Sequence, residues 1–306
     1  MIVNEQRTRR SLRMAQMVLA LLLLTSPSFD VWAEVGETSL GHLVLNGGGS
    51  KPREVMEKFI ELAGGPDAAI VVFPTASAEP DTGEYYRDLF IGDYGCSNVF
   101  VADVRTSDDA GNATIAERVR SAGGIFFSGG DQRRITRALL GTLVGDAVHQ
   151  AHHRGAVIGG TSAGTACQSS LMITGDGDLT VIAADNVELW EGLDLFPGVI
   201  VDQHFVARGR HNRLISVILE HPDLLGIGVD EATAVWVRPN GTFEVLGEGW
   251  VVVYDAHDSE IHQRDGAEGR SDLGVHSLKT HVLLPREVFD VHSRAVVLGT
   301  RGGGRR

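Results

Sequence analysis

The chain has 306 residues, 43% of them hydrophobic and 22% charged. These are globular proportions, and they exclude a disordered chain or a coiled coil as the main state. The net charge of −13 argues against a basic groove for nucleic acid, and two cysteines are too few for a disulfide framework or a multi-cysteine metal site.

Taken in chain order, the sequence opens on a basic region, Arg7, Arg9, Arg10 and Arg13, followed by an apolar run over 14–24 and a small-residue pattern at Val31-Trp32-Ala33. This is the build of a secretory signal peptide cleaved near Ala33. The run of about 11 residues is short of the roughly 20 that a membrane span needs. Thr8-Arg9-Arg10-Ser11-Leu12-Arg13 also reads as a twin-arginine signal, and an uncleaved anchor is the remaining alternative. Residues 34–300 then form a single domain, with 301–306 a disordered tail. No other apolar stretch approaches membrane length, so the mature chain is expected free of the membrane, secreted or periplasmic. Cys96 and Cys167 could pair there, although a buried free thiol is the simpler reading of Cys167.

Residues 42–45 read as a strand ending in Asn46-Gly47-Gly48-Gly49-Ser50, and Val55, Met56, Phe59, Ile60 and Leu62 form a helical stripe after it. Further strands are expected at 69–73, 99–104, 125–127 and 156–158, with helices at 81–91, 115–119 and 132–153. Unbroken apolar strands alternating with helices predict an α/β fold, a mostly parallel sheet covered by helices on both faces, with its site at the carboxyl ends of the strands. Short strands at 226–229, 233–237, 242–246 and 250–254 read as an antiparallel C-terminal extension of the same sheet. Residues 255–275 read as a loop, and 282–284 as the last strand.

Gly160-Thr161-Ser162-Ala163-Gly164 sits between a strand and a helix-like stretch, the context of a nucleophile elbow. An ordinary glycine-rich turn is the plainer alternative. A serine nucleophile needs a base and an acceptor that orients it. His204, in Asp202-Gln203-His204-Phe205 after an apolar strand, is the candidate base. Arg208, Arg210 and Arg213 follow it, and suit either carboxylate recognition or a solvated helix start. Either acid of Asp230-Glu231 can orient the histidine. His149, His152 and His153 share one helix face, read as solvated rather than metal-binding. Ser128-Gly129-Gly130-Asp131-Gln132 allows close backbone approach to a ligand and can complete an oxyanion hole. Phosphate binding is disfavoured there, because no Gly-Lys-Ser/Thr follows any glycine loop.

Four segments carry a family resemblance: Phe126-Phe127-Ser128-Gly129-Gly130-Asp131-Gln132, Gly159-Gly160-Thr161-Ser162-Ala163-Gly164, the stretch from Pro197 to Phe205 with its three arginines, and Leu225 to Ala234. Together they resemble the serine-peptidase family S51 that contains cyanophycinase and aspartyl dipeptidase, and the 197–213 stretch is closer to cyanophycinase. The resemblance covers most of 40–290. It implies a class I glutamine-amidotransferase-like fold with Ser162 as nucleophile, His204 as base and Glu231 as orienting acid. It places Gln132, Asp202, Gln203, Arg208, Arg210 and Arg213 in the substrate pocket, with Gly129, Gly130 and Ala163 around the oxyanion. It implies no cofactor and no metal, and it allows a homodimer. The implied substrate is cyanophycin, a poly-aspartate backbone with arginine on each β-carboxyl, released as β-Asp-Arg dipeptides by an exported exopeptidase. Other aspartyl or isoaspartyl peptides are the alternative substrates, and a non-catalytic binding protein of the same fold is the second alternative. The sequence departs from the family at Thr165 and Cys167, where alanine is common after the serine motif, and at Gly47–Ser50, where an acid is common.

Overall fold

Short apolar runs separated by amphipathic helices build the first half of the chain. The computed structural model describes residues 41–297, so the expected leader 1–33 and the tail 301–306 lie outside the described residues. Strands β1 (Leu43–Asn46), β2 (Ile70–Phe73), β4 (Gly124–Phe127) and β5 (Val157–Thr161) are buried at every position, and β3 (Val99–Val101) is half-buried at an edge. They pair in parallel in the order β1-β5-β4-β2-β3.

Helices α1 (Arg53–Ala63), α2 (Thr82–Asp88), α3 (Ala113–Arg120), α4 (Gln132–Leu139) and α5 (Leu143–His153) connect these strands. Successive strand residues face opposite ways, so neighbours serve different cores. Phe126 meets Phe59 edge-on at 5.5 Å, whereas Phe127 stacks on Phe73 at 5.0 Å. Each buried ring contributes about 1.5–3 kcal/mol by leaving water. The helical stretch expected over 132–153 is two helices. Gly141, at φ 67°, turns the chain, and Thr142 caps α5 by accepting from the Gly145 amide.

On its other side β1 pairs antiparallel with β10 (Thr233–Val237). β11 (Thr242–Gly247), β16 (Val288–Asp290) and β17 (Ala295–Val297) follow and complete nine strands. The fold is mixed α/β with an antiparallel extension, as expected, but two of the C-terminal strands belong elsewhere. A second sheet has the order β15-β12-β9-β8: Lys279–Leu283, Val251–Asp255, Leu225–Val229 and Val199–Gln203. Within it β8 and β9 are parallel, joined by helix α7 (His211–Glu220). Two hairpins stand outside both sheets: β6 (Leu171–Gly177) with β7 (Val187–Glu191), and β13 (Glu260–Asp265) with β14 (Ser271–His276). The second replaces the loop expected over 255–275. Its strands read as loop because most of β13 is exposed and polar, while Ile261, Leu273 and Val275 pack on the core beside α7.

The histidine face of α5 is also not wholly solvated. His152 is buried against Gly41, and burial lowers its pKa to about 4. Both cysteines are buried and free, so they do not pair.

Candidate active site

Five strands from the two sheets deliver residues to one place. β5 runs into Ser162, which stands at φ 54° and ψ −113° before the short helix α6 (Ala163–Ala166). That conformation costs roughly 1–3 kcal/mol for a residue with a Cβ. It persists because its surroundings demand it. The Ser162 amide donates to the Asn46 carbonyl at 3.0 Å, and the Thr165 hydroxyl reaches the Asn46 and Gly160 carbonyls at 2.7 and 3.0 Å. The sharp turn needs glycine on both sides. A Cβ at Gly160 would lie 2.1 Å from the Gly164 carbonyl, and one at Gly164 would lie 2.3 Å from that of Phe127. The motif is an elbow, not an ordinary turn. Thr165 and Cys167, the family departures, are fully buried behind it and do not face a substrate.

His204 follows β8 and is held at φ 50° with its amide donating a hydrogen bond to the Gly47 carbonyl, 2.7 Å. Its Nε2 lies 2.9 Å from Ser162 Oγ and its Nδ1 lies 2.5 Å from Glu231 Oε1. With Nδ1–H donating to the carboxylate, the Nε2 lone pair faces the serine hydroxyl, the tautomer a base requires. Burial is the main effect lowering the His204 pKa. Glu231 opposes the shift and the positive charges of Arg208 and Arg210 add to it. The imidazole is therefore neutral and able to accept a proton at neutral pH.

Asp230 and Glu231 follow β9, on the turn that crosses to β10 and the other sheet. The structure separates their roles. Asp230 accepts from the Ala207 amide at 2.9 Å and pins the turn after His204, while Glu231 faces the imidazole.

The triglycine turn after β1 forms the back of the site, a role the sequence reading did not give it. A Cβ at Gly48 would lie 2.3 Å from His204 Cε1, and one at Gly49 would lie 3.0 Å from Glu231 Oε2. The Gly48 carbonyl also accepts from the Ala232 amide at 3.0 Å. A glycine run at a strand's carboxyl end was the available signal.

The expected pocket residues divide into two groups. Gln203 Oε1 lies 3.3 Å from Ser162 Oγ, Arg210 donates to the Gln203 carbonyl at 2.5 Å, and exposed Arg208 and buried Arg210 are near enough for their charges to act on His204. Burial lowers the Arg210 pKa to about 10 and Asp202 holds it up, so the guanidinium remains charged. Asp202 and Arg213 instead pair with each other, and Arg210 reaches the same carboxylate at 3.5 Å. The side chains of the pair are 1% and 2% exposed and meet through two bonds of 2.7 and 2.5 Å. Arg213 also reaches the Gly175 carbonyl at 3.3 Å, and Gln132 Nε2 holds the Ile173 and Thr174 carbonyls at 2.6 and 2.8 Å. Arg213 and Gln132 anchor the β6–β7 hairpin. Gly129 stands beside the serine, since a Cβ there would be 3.4 Å from Ser162 Cβ. The amides of Gly129, Gly130 and Ala163 have no acceptor among the described residues.

A hydroxyl, a neutral imidazole and a carboxylate stand in line, the geometry that acyl transfer by a serine nucleophile requires. Known proteins resemble the chain over most of its length. The model of peptidase family S51 matches residues 43–245. The cyanophycinase of Synechococcus elongatus is 37% identical over 264 residues, covering 84% of this chain and 82% of that protein. The cyanophycinase of Trichormus variabilis is 35% identical over 269 residues, covering 85% and 88%. Among solved structures, a peptidase from an acI-B1 Actinobacterium shares the fold, with a TM-score of 0.59 at 23% identity over 71% of this chain and 91% of that one.

Proposed function

The chain belongs to peptidase family S51 and is a serine peptidase; we propose that it hydrolyses cyanophycin to β-Asp-Arg dipeptides through an acyl-enzyme on Ser162. The observation that carries the mechanism is the continuous relay from Ser162 through His204 to Glu231, with contacts of 2.9 and 2.5 Å. The substrate is carried over from relatives that share over a third of their residues across most of the chain.

In this reading His204 takes the hydroxyl proton as Ser162 Oγ attacks the carbonyl carbon of the scissile backbone amide. The amides of Gly129, Gly130 and Ala163 receive the oxyanion. His204 then protonates the leaving amine, and water, activated by the same imidazole, releases the acyl group. Glu231 stabilises the imidazolium throughout. Arg208 and Arg210 supply positive charge for the carboxylates of the arginyl groups, and Gln203 supplies an amide for hydrogen bonding beside the serine. Asp202, Gln132 and Arg213 hold the frame of this pocket.

The same proposal places the enzyme outside the cytoplasm, supported by the basic and apolar build of residues 1–33. The mass of the mature protein recovered from the exporting cell reads this directly, since cleavage near Ala33 leaves Glu34 as the first residue.

The substrate is tested by incubating the purified protein with insoluble cyanophycin and, separately, with isoaspartyl dipeptides. Soluble β-Asp-Arg from the polymer supports the reading. Cleavage of the dipeptides alone moves the substrate to the second class of peptide.

A further inference from the structure

A cavity of about 550 Å³ opens at the carboxyl ends of β2 and β3, lined by Thr75, Ser77, Asp103, Arg105, Arg134 and Arg137 among others. Its size is within the range of small-ligand sites. Its charge is unusual for this chain, whose net charge is −13. Arg105 is fixed by the Pro74 and Ser77 carbonyls at 3.1 and 2.8 Å and by Asp103 at 2.6 Å. Arg134 and Arg137, one turn apart on α4, bring two further positive charges. Arg137 lies over the ring of Trp190 at 4.5 Å, and the Arg134 guanidinium has no hydrogen-bond or ion-pair partner among the described residues. Asp103, with its side chain 70% exposed, supplies the opposite charge at the rim.

The cavity shares a wall with the catalytic centre. The Asp131 amide donates to the Ala76 carbonyl at 2.9 Å, and Gly130 approaches that carbonyl so closely that a Cβ would lie 2.1 Å from it. The loop that lines the cavity from Thr75 to Pro80 therefore backs the Gly129–Gly130 segment beside Ser162.

We propose that this cavity is a subsite for a second, non-reacting unit of the substrate, with an arginyl α-carboxylate between Arg134 and Arg137 and its guanidinium at Asp103. The inference rests on the cyanophycin reading above and deepens it: the polymer is held at a distance from the bond that is cut. Paired guanidinium groups recognise carboxylates with directional hydrogen bonds, and a zwitterionic unit meets both signs of charge in one cavity.

The experiment compares kcat/KM for oligomers of two and of four β-Asp-Arg units, in the wild type, in Arg134→Glu, and in Arg134→Ala combined with Arg137→Ala. The wild type is expected to prefer the longer oligomer, and Arg134→Glu to lower that preference about tenfold, mainly through KM. Arg134 is exposed and unpaired, so this single variant decides the matter if the double variant, which also loses the Trp190 contact, does not fold. An unchanged length preference in Arg134→Glu, or no preference in the wild type, overturns the subsite and leaves the substrate reading standing. Failure of the wild type to cleave either oligomer overturns the substrate reading, and the subsite with it.

Discussion

The imidazole of His204 rests against the bare backbone of Gly48, close enough that a Cβ would be 2.3 Å from Cε1 and 2.4 Å from Nε2. Gly48 also holds φ 114°, a conformation that residues with a Cβ rarely adopt. The imidazole is thus positioned by the turn after β1 as much as by its own strand. Gly48→Ala is expected to displace the ring and lower kcat about 100-fold, the cost of a misplacement near 1 Å. Labelling of Ser162 by a serine-reactive probe should slow in parallel. Unaltered kcat would mean that the turn has no part in holding the base.

Glu231 Oε1 is the partner of His204 Nδ1, and in the proposed mechanism it sets the histidine tautomer. Glu231→Gln keeps the shape but removes the charge that stabilises the imidazolium. A loss of about 10²–10⁴-fold in kcat is expected, the lower end reflecting a carboxylate that is 40% exposed and partly screened. Asp230→Asn is expected to affect kcat far less, because Asp230 braces the Ala207 amide instead of the imidazole.

The pH profile follows from the environment of His204. Burial foremost, with Arg208 and Arg210, lowers its pKa below the ordinary 6.5, so the neutral base persists below that pH. The acid limb of kcat/KM should have its midpoint under 6.5. Removing a nearby positive charge makes the imidazolium easier to form. Arg208→Ala should therefore move the limb to higher pH, and a shift to lower pH would contradict this electrostatic account.

His152 gives a stability signature of its own. Its folded pKa is lowered to about 4 by burial. Above pH 6.5 it is neutral both folded and unfolded, and its neutral burial is fully tolerated. As pH falls from 6.5 through about 4, the unfolded chain takes up the proton first and stability declines. The contribution is up to about 3 kcal/mol. Denaturant unfolding between pH 7 and 4 should show this slope, and His152→Gln should flatten it.

Asp202 and Arg213 stand apart from the chemistry. Leaving either charge buried without the other is expected to cost about 3–5 kcal/mol. Asp202→Ala should therefore lower Tm sharply, whereas Arg208→Ala, at an exposed position, should not. Equal Tm values for the two variants would remove the structural role assigned to the pair.

Much of this site was legible in the sequence because its parts are local. The elbow shows in five residues, and His204 and Glu231 each follow a short apolar strand. What the sequence did not show was long-range. Strands 199–203 and 225–229 look like any other buried strands, and nothing in their pattern says that they leave the main sheet to form a second one. The pairing of Asp202 with Arg213 was hidden for a related reason. An arginine after a candidate base reads as a ligand group until a buried carboxylate is found against it. The hairpin at Glu260–Asp265 and Ser271–His276 was missed because the first strand is mostly exposed and polar with Ile261 as its one apolar residue, and the short Leu273–Val275 alternation on the second strand has no matching alternation on it.

The most direct test of the relay is mass spectrometry of the denatured protein, quenched during turnover of cyanophycin. The account predicts an added mass on the peptide that contains Ser162, abolished together with β-Asp-Arg release in Ser162→Ala. Continued release of dipeptide by a folded Ser162→Ala variant, with no adduct in the wild type, would contradict it.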